Sequence, residues 1–308
     1  MKKVLVTGGA GFIGSHLVDL LLEKGNDVAI LDNLLQGNKL SPDTIKNVLL
    51  INGDIRDYDT LKKAANGCTK IYHLAAMLGV DIVANEHVET MEIESIGLQN
   101  IIKITNHINI EKIVYASTSG VYGKSAFDES VNEDFILDPR TSYSIAKRFN
   151  EIYLKSLWFE RGIVSSSIRY FNVYGPRQDT RMVIPRFIDQ ARRCEAITVY
   201  GDGNQTRDFT FVRDTVRITA DIGEKLREGS EVYNLCGKNE IPIIKVAQMI
   251  KKYLGSQSEI RTIDSPESRE EFEVKRRSGN TKKLDSFLGK QSYTSFDDGL
   301  LNTINYDK

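Results

Sequence analysis

Two side chains near the middle of the chain have the types and the spacing needed for proton transfer. Tyr143 and Lys147 are four residues apart in a predicted helix, so their side chains share one face of it. A free tyrosine, with a pKa of ~10, is a poor base at neutral pH, but adjacent positive charge favours its phenolate. Such a pair alone is common by chance. Here Ser117, Thr118 and Ser119 end a predicted strand, at the carboxyl edge where open α/β sheets bind ligands.

A glycine-rich segment near the beginning of the chain has the pattern of a dinucleotide-binding turn. The segment TGGAGFIG, residues 7–14, lies between a predicted strand and a predicted helix. Glycine allows a tight turn and lets backbone N–H groups approach a pyrophosphate, which the positive end of the helix dipole also attracts. Asp32 ends the second predicted strand, where a carboxylate binds the adenosine ribose and repels a 2′-phosphate. The pattern therefore predicts NAD as cofactor rather than NADP.

The elements that must position these residues alternate between strand and helix. Predicted strands cover Val4–Thr7, Asp27–Leu31, Val48–Ile51, Lys70–His73, Ile113–Ala116, Val164–Arg169 and Val232–Leu235. Predicted helices cover about Phe12–Leu22, Tyr58–Ala65, Val88–Asn106, Ser142–Arg161 and Thr215–Leu226. This order predicts an α/β fold, a Rossmann doubly wound parallel sheet with a smaller, discontinuous C-terminal substrate lobe. We expect residues 1–172 and 212–238 to form the dinucleotide-binding domain, and 173–211 and 239–308 the substrate lobe.

Composition excludes several function classes. The chain has 308 residues, 41% of them apolar, and a net charge of −1, which gives no electrostatic reason to expect a nucleic acid or a membrane surface as partner. Cys68, Cys194 and Cys236 are widely spaced and odd in number, which favours a reducing cytoplasm over a disulfide framework. The apolar run that follows Met1 is too short for a signal peptide, and the four histidines lack metal-ligand spacing, so no metal is expected.

The motifs taken together resemble a known family. They are TGGAGFIG (7–14), DN (32–33), GDIRD (53–57), HLAA (73–76), ASTSGVYG (116–123), YSIAK (143–147), RYFNVYGPRQ (169–178) and VYGDGNQTRDFTFV (199–212). Over nearly its whole length the chain resembles the extended short-chain dehydrogenase/reductase family, in its nucleotide-sugar epimerase/dehydratase branch, and is similar to the UDP-glucose 4-epimerases. The resemblance implies a nucleotide-diphosphate sugar as substrate, with a UDP-sugar favoured, and NAD as cofactor.

The resemblance also implies roles for individual residues. Tyr143 would be the general acid and base, Thr118 would hydrogen-bond the reacting sugar hydroxyl, and Lys147 would bind the nicotinamide ribose and lower the pKa of Tyr143. Asn172 and Arg207 would hold the diphosphate side of the substrate. The implied cofactor contacts are Gly8, Gly11, Phe12, Ile13, Asp32, Asn33, Asp54, Ile55, Leu74, Ala75, Ala76 and Lys147.

Departures from the family pattern narrow the reaction. Dehydratases carry an Asp-Glu pair where this chain has Ser119 and Gly120, and the UDP-glucuronate decarboxylases carry Glu in place of Gly120. Arg277 corresponds to an arginine of those decarboxylases and would suit a uronate carboxylate, although a solvated surface charge is the alternative. Glu94 stands where relatives usually have Asn, a change to which the sequence assigns no function.

The groups that remain, Thr118, Tyr143 and Lys147 together with NAD, are sufficient for epimerisation. We expect an NAD-dependent UDP-hexose 4-epimerase, an isomerase that works through a transient 4-keto sugar with hydride transfer to and from bound NAD. The alternatives are a UDP-glucuronate-type decarboxylase or epimerase, another nucleotide-sugar dehydratase or oxidoreductase, and a non-catalytic NAD-binding sensor. The retained tyrosine and lysine argue against the sensor.

The resemblance further implies a homodimer. Family members pair through the helices that match Val88–Asn106 and Ser142–Arg161, which form a four-helix bundle across a two-fold axis. An apolar stripe of Ile145, Phe149 and Ile152 is compatible with such an interface, but the same stripe is compatible with a face that packs on the sheet.

Overall fold

The structure, a computed structural model, describes residues 2–77, 86–124, 130–265 and 274–306. The chain divides into two units. The first unit contains residues 1–121, 139–169 and 216–233, and the second contains 122–138, 170–215 and 234–308.

A seven-stranded sheet organises the first unit. Its strands are β1 (Lys3–Thr7), β2 (Asp27–Asp32), β3 (Leu49–Asn52), β4 (Lys70–His73), β5 (Lys112–Thr118), β6 (Val164–Tyr170) and β10 (Ser230–Leu235). Their order across the sheet is β10-β6-β5-β4-β1-β2-β3, and β1 pairs in parallel with β2 and β4, β2 with β3, and β4 with β5. The predicted doubly wound sheet is confirmed. Because these strands run parallel, the carboxyl ends of β1 to β5 lie along one edge.

The sheet is buried on both faces, which explains its continuous apolar strands. Leu5, Ala29 and Tyr115 belong to one buried cluster that also includes residues of the helices after β3, β4 and β5. The neighbouring residues Val6 and Ile30 point to the opposite face, because side chains alternate along a strand, and they too are fully buried.

Helices connect the strands, and five of them have bounds close to those predicted. These are α1 (Phe12–Glu23), α3 (Tyr58–Ala64), α4 (His87–Ile104), α5 (Ser142–Arg161) and α7 (Val212–Lys225). The short helix α2 (Pro42–Lys46) has no counterpart among the predicted elements. A 3-10 turn at Ser119–Tyr122 follows β5, and α4 packs against α5.

The helix α5 has the predicted bounds because both of its ends carry strong local signals. Thr141 and Ser144 form a capping box, in which the Ser144 N–H donates to Thr141 Oγ1 and the Thr141 N–H donates to Ser144 Oγ. Gly162 ends the helix in the left-handed conformation, at φ 68°.

The face of α5 that packs on the sheet is not the apolar stripe. Ile145, Phe149 and Ile152 are 45%, 46% and 53% exposed, so the interpretation that this stripe faces the sheet is wrong. The buried face instead carries Ser144, Ala146, Lys147, Asn150, Glu151, Leu154 and Leu157. Four of these seven residues are polar, because the face supports the hydrogen-bonded and ionic clusters described below.

The second unit contains shorter strands. They are β7 (Asn172–Tyr174), β8 (Ile197–Tyr200), β9 (Thr206–Phe211), β11 (Glu240–Pro242), β12 (Ile260–Ile263) and β13 (Arg276–Arg277). Its helices are α6 (Val183–Arg192), α8 (Ile243–Leu254), α9 (Lys282–Leu288) and α10 (Phe296–Asn305). The strand β9 pairs with β11, β13 and β7, and β8 pairs with β12.

Candidate active site

The glycine-rich turn between β1 and α1 has the shape that a dinucleotide pyrophosphate requires. Gly8 has φ +70°, and a Cβ atom there would lie 2.7 Å from the backbone nitrogen of Ala75. A Cβ atom on Gly14 would overlap the carbonyl oxygen of Gly8. Gly11 is the N-cap of α1, whose first residues are Phe12 and Ile13, and the first N–H groups of a helix have no partner within it. The turn therefore offers backbone donors with no side chain in the way, and it fits the predicted cofactor.

Asp32 lies at the carboxyl end of β2 and ties the glycine-rich turn to the segment that follows β2. Its carboxylate accepts hydrogen bonds from the N–H of Ala10 at 2.9 Å and of Leu34 at 2.8 Å. Asn33 in turn accepts a bond from the N–H of Leu35 at 3.1 Å. A carboxylate has about four lone-pair sites, so Asp32 retains acceptor capacity for ribose hydroxyls.

The segment after β3 is held by an ion pair and by α4. Arg56 donates to Asp54 at 2.7 Å and, by this hydrogen bond, lowers the pKa of the Asp54 carboxyl. Asn100 of α4 donates to the backbone oxygens of Ile55 at 3.2 Å and Arg56 at 2.8 Å. Gly97 brings α4 close, since a Cβ there would lie 3.0 Å from the Ile55 side chain.

The segment Leu74–Ala76 continues from β4 past the glycine-rich turn. The N–H of Leu74 donates to the Thr7 carbonyl at 3.0 Å, and Thr7 Oγ1 lies 2.7 Å from His73 Nδ1. Burial lowers the pKa of His73 to about 3, with a further contribution from Lys147, so the ring is neutral at physiological pH. His73 therefore has a structural role, because its hydrogen bond with Thr7 joins β4 to β1 where the Leu74–Ala76 segment begins.

Thr118, Tyr143 and Lys147 lie in the first unit, at the end of β5 and in the first turns of α5. Thr118 is the last residue of β5, and its Oγ1 accepts a hydrogen bond from the Gly120 N–H at 3.0 Å. Lys147 is 1% exposed, and its Nζ lies 5.3 Å from the centre of the half-buried Tyr143 ring. The structure therefore brings the tyrosine and lysine together as the helical spacing predicts.

The surroundings of Tyr143 include a buried carboxylate, that of Glu94. Burial, and after it the negative charge of Glu94, raises the pKa of the Tyr143 phenol. The lowering of this pKa by Lys147, which the family resemblance implies, stays a prediction. Glu94 Oε2 lies 3.0 Å from Lys147 Nζ, so the two charges offset each other in part. The sequence assigned no function to Glu94, and its only signal was that relatives usually have Asn at this position.

A second buried cluster lies directly beneath the end of β5 and was not predicted. Arg169 of β6 donates to both carboxylate oxygens of Glu151, at 2.9 and 2.8 Å. Ser117, next to Thr118, donates to the same carboxylate at 2.6 Å, and Arg148 donates to it at 3.0 Å. These bonds fix β5, β6 and α5 to one another next to Thr118.

The remaining substrate-side predictions lie together on the small sheet of the second unit. Arg207 of β9 and Arg277 of β13 are register partners in a parallel ladder, so their side chains project from the same face. Arg207 Nη1 donates to the Val274 carbonyl at 2.8 Å. Asn172 of β7 donates to the Asp208 carbonyl at 3.3 Å. Two arginines on one face of a sheet supply positive charge that suits an anion.

Within residues 2–77, 86–124, 130–265 and 274–306, no group of three or more His, Cys, Asp or Glu side chains is arranged to hold a metal ion. In the same ranges, no helix combines the length and the apolar character that crossing a membrane requires.

The parallel sheet, the glycine-rich turn and the carboxylate at the end of β2 define a Rossmann-like dinucleotide-binding protein. A sequence profile of the NAD dependent epimerase/dehydratase family matches residues 4–236. The chain belongs to this family, whose members act on nucleotide sugars, and family membership assigns NAD as its cofactor.

Individual relatives differ in the reaction that their names give. The chain is 37% identical to a UDP-N-acetyl-alpha-D-glucosaminuronate decarboxylase of Bacillus cytotoxicus, over 84% of this chain and 82% of the relative. It is 35% identical to a putative UDP-glucose 4-epimerase of Methanocaldococcus jannaschii, over 99% of this chain and 98% of the relative. Its structure matches a Thermotoga maritima UDP-glucose 4-epimerase solved with UDP-glucose, with a TM-score of 0.92, 30% identity, and coverage of 99% and 98%.

Proposed function

We propose that the chain is a nucleotide-sugar epimerase that inverts C4 of a UDP-linked hexose. The observation that carries this proposal is the group of Thr118, Tyr143 and Lys147 beside Ser119 and Gly120. Inversion needs one group that moves a proton at the C4 hydroxyl, whereas elimination of water needs a further acid and base. The positions that hold this further pair in dehydratases carry none here.

In this proposal each residue of the group has one task. Tyr143 Oη takes the proton of the C4 hydroxyl and returns it after the transient 4-keto sugar has turned over. Thr118 Oγ1 already accepts a bond from Gly120, which leaves its own hydroxyl proton for the sugar oxygen. Lys147 would hold the nicotinamide ribose from one turn further along α5. Bound NAD would supply the hydride chemistry at C4 in both directions.

The cofactor would lie along the carboxyl edge of the sheet. The turn that holds Gly8, Gly11, Phe12 and Ile13 would bind the pyrophosphate with its backbone N–H groups. Asp32 and Asn33 would bind the adenosine ribose, Asp54 and Ile55 the adenine, and Leu74, Ala75 and Ala76 would line the path between them. The close approach of Gly8 to Ala75 supports this assignment, because it keeps the surface free of side chains.

The second unit would bind the nucleotide sugar. Asn172 and Arg207 would hold the diphosphate side, since an arginine fork pairs well with phosphate oxygens. The proposed division assigns residues 173–211 and 239–308 to the substrate lobe and residues 1–172 and 212–238 to NAD binding. The two units of the structure differ from it, because residues 122–138, 170–172, 212–215 and 234–238 belong to the second unit.

A specific observation favours a second candidate, an enzyme of UDP-uronates. Arg277 lies in register with Arg207, and a second guanidinium beside the diphosphate side would suit a sugar carboxylate. The named activity of the Bacillus cytotoxicus relative is also a uronate decarboxylation. Gly120 argues against decarboxylation, because it occupies the position at which the decarboxylases carry a glutamate. A Cβ there would already lie 3.3 Å from Thr118 Oγ1.

The deciding experiment offers UDP-glucose, UDP-N-acetylglucosamine and UDP-glucuronate to the purified protein, and follows the products by NMR and the release of carbon dioxide. Interconversion at C4 without carbon dioxide supports the proposal. Conversion of UDP-glucuronate to a pentose would refute it in favour of a decarboxylase. A uronate epimerised without loss of carbon would keep the mechanism and change the substrate.

Two matched variants test the tyrosine. Tyr143→Phe removes the proton-transfer group and should lower kcat by about 10²–10⁴-fold with NAD binding retained. Tyr153→Phe makes the same change in a partly buried tyrosine of α5 that packs on the core, and it should leave kcat near that of the unaltered chain. Equal turnover by the two variants would remove Tyr143 from the mechanism.

A further inference from the structure

A buried ion pair joins α4 to the candidate active site. Lys147 Nζ lies 3.0 Å from Glu94 Oε2, and the two side chains are 1% and 0% exposed. A charged pair in such a place is costly unless its geometry and hydrogen bonds are good, because both ions have lost their water. The pair also lies next to Tyr143, so both of its charges act on the tyrosine.

The Glu94 carboxylate is fixed in place by its neighbours. Tyr115 of β5 donates its hydroxyl to Glu94 Oε2 at 3.2 Å. Asn150 of α5 donates to the Tyr115 hydroxyl at 2.9 Å and to the backbone oxygen of Glu94 at 3.1 Å. Oε2 thus accepts two bonds, while Oε1 has no hydrogen-bond partner among the described residues. The neighbours of Glu94 therefore hold its carboxylate through Oε2 alone, the oxygen that also contacts Lys147.

Lys147 lies between this carboxylate and the tyrosine. Its Nζ is 4.7 Å from the centre of the Tyr115 ring and 5.3 Å from that of Tyr143. The titratable groups around Glu94 are thus Lys147 and Tyr143 of α5, Tyr115 of β5 and, through its interaction with Lys147, His73 of β4. Burial raises the pKa of the Glu94 carboxyl, whereas the charge and the hydrogen bond of Lys147, 3.0 Å away, and the hydrogen bond of Tyr115 act to lower it and so favour the carboxylate.

We propose that Glu94 is a positioning residue for the reaction: its carboxylate anchors the Lys147 ammonium and offsets the positive charge that Lys147 presents to Tyr143. The inference rests on the proposed function, because it assumes that Tyr143 moves the proton. Its direct consequence is that Tyr143 remains a neutral phenol until a further positive charge, such as that of oxidised cofactor, is close by. The raised pKa of Tyr143, to which Glu94 contributes, agrees with this consequence.

A merely structural role, in which Glu94 only ties α4 to α5, makes a different prediction. Removing its charge would then alter stability but not the ionisation of Tyr143. Glu94→Gln separates the two roles, because it keeps the size and most of the hydrogen bonds and removes only the negative charge. Glu94→Asn, which introduces the residue that relatives usually carry, provides a second uncharged variant if the glutamine variant folds poorly.

The experiment follows the ionisation of Tyr143 directly in the NAD⁺-bound protein. Tyrosines are labelled with ¹³C at the ζ carbon, the Tyr143 resonance is assigned by its loss in Tyr143→Phe, and the pH is raised stepwise. We expect Glu94→Gln to ionise Tyr143 at a pH lower by about one unit or more, a tenfold change in its ionisation constant. Glu92→Gln removes a carboxylate from an exposed position of the same helix, 52% exposed, and should not shift the resonance.

An unchanged Tyr143 titration in both uncharged variants would overturn the inference, as would a shift of equal size in Glu92→Gln. This readout does not depend on turnover. If no UDP-sugar is epimerised, the proposed function fails while the titration still decides the role of Glu94. If epimerisation is found, the profile of kcat/KM against pH should also change. In Glu94→Gln the apparent pKa on its acidic side should be lower by the same number of pH units as the Tyr143 titration.

Discussion

The two arginines that contact Glu151 allow a sharp test of what holds the site in place. Arg169 and Arg148 donate to the same carboxylate at 2.8 and 3.0 Å, but the Arg169 side chain is 1% exposed and that of Arg148 is 35% exposed. Removing one partner of a buried pair leaves an uncompensated buried charge and costs about 3–5 kcal/mol. An exposed pair contributes only about 0.2–1 kcal/mol. Arg169→Gln should therefore be far more destabilising than Arg148→Gln.

The assay is urea-induced unfolding followed by the fluorescence of Trp158, which is the only tryptophan of the chain and lies in α5. We expect the free energy of unfolding to fall by about 3–5 kcal/mol in Arg169→Gln and by less than about 1 kcal/mol in Arg148→Gln. The double variant Glu151→Gln/Arg169→Gln should recover part of the loss, because neither buried charge is then left alone.

The same pair predicts a dependence on pH. Burial alone would raise the pKa of Glu151, but Arg169 and the bonds from Ser117 and Arg148 bring it below its ordinary value. A lowered folded-state pKa gives stability that is present above the unfolded pKa of about 4.3 and is lost as the pH falls through the folded value. The difference in the free energy of unfolding between the unaltered chain and Arg169→Gln should therefore become smaller as the pH falls. Equal losses in the two single variants, or a gap that widens in acid, would refute the reasoning.

Three further predictions concern the cofactor and assembly. Gly8→Ala should weaken NAD binding, measured by calorimetry, much more than Gly25→Ala. Both glycines have positive φ, but only at Gly8 would the new Cβ meet backbone, 2.7 Å from the Ala75 nitrogen. Similar affinities of the two variants for NAD would show that the approach of Gly8 to Ala75 does not matter for binding. Asp32→Ala should narrow the preference for NAD over NADP, and an unaltered preference would remove Asp32 from the ribose site. The exposed stripe on α5 predicts a homodimer in light scattering that Phe149→Glu converts to monomer, and a monomer without the substitution would contradict it.

The sequence determined the features that depend on local order. The alternation of apolar runs with helical spacing predicted the parallel sheet and the approximate bounds of α5, whose ends the capping residues Thr141, Ser144 and Gly162 then explain. The glycine spacing and the strand that precedes it predicted the dinucleotide turn, because a tight turn and a close backbone approach restrict residue type directly. The spacing of Tyr143 and Lys147 predicted their common face, since a helix brings residues four apart together.

Which polar residues are buried, and what they contact, depends on residues that are distant in the sequence. Lys147 and Glu94 are 53 positions apart in the sequence, and no local rule relates a residue of α4 to one of α5. The stripe of Ile145, Phe149 and Ile152 has the period of a buried face, yet α5 turns Lys147, Asn150 and Glu151 inward instead. Helical period gives the faces of a helix but not which of them the sheet covers. That choice depends on distant partners, Glu94 for Lys147 and Arg169 for Glu151, whose bonds offset the cost of burying charge.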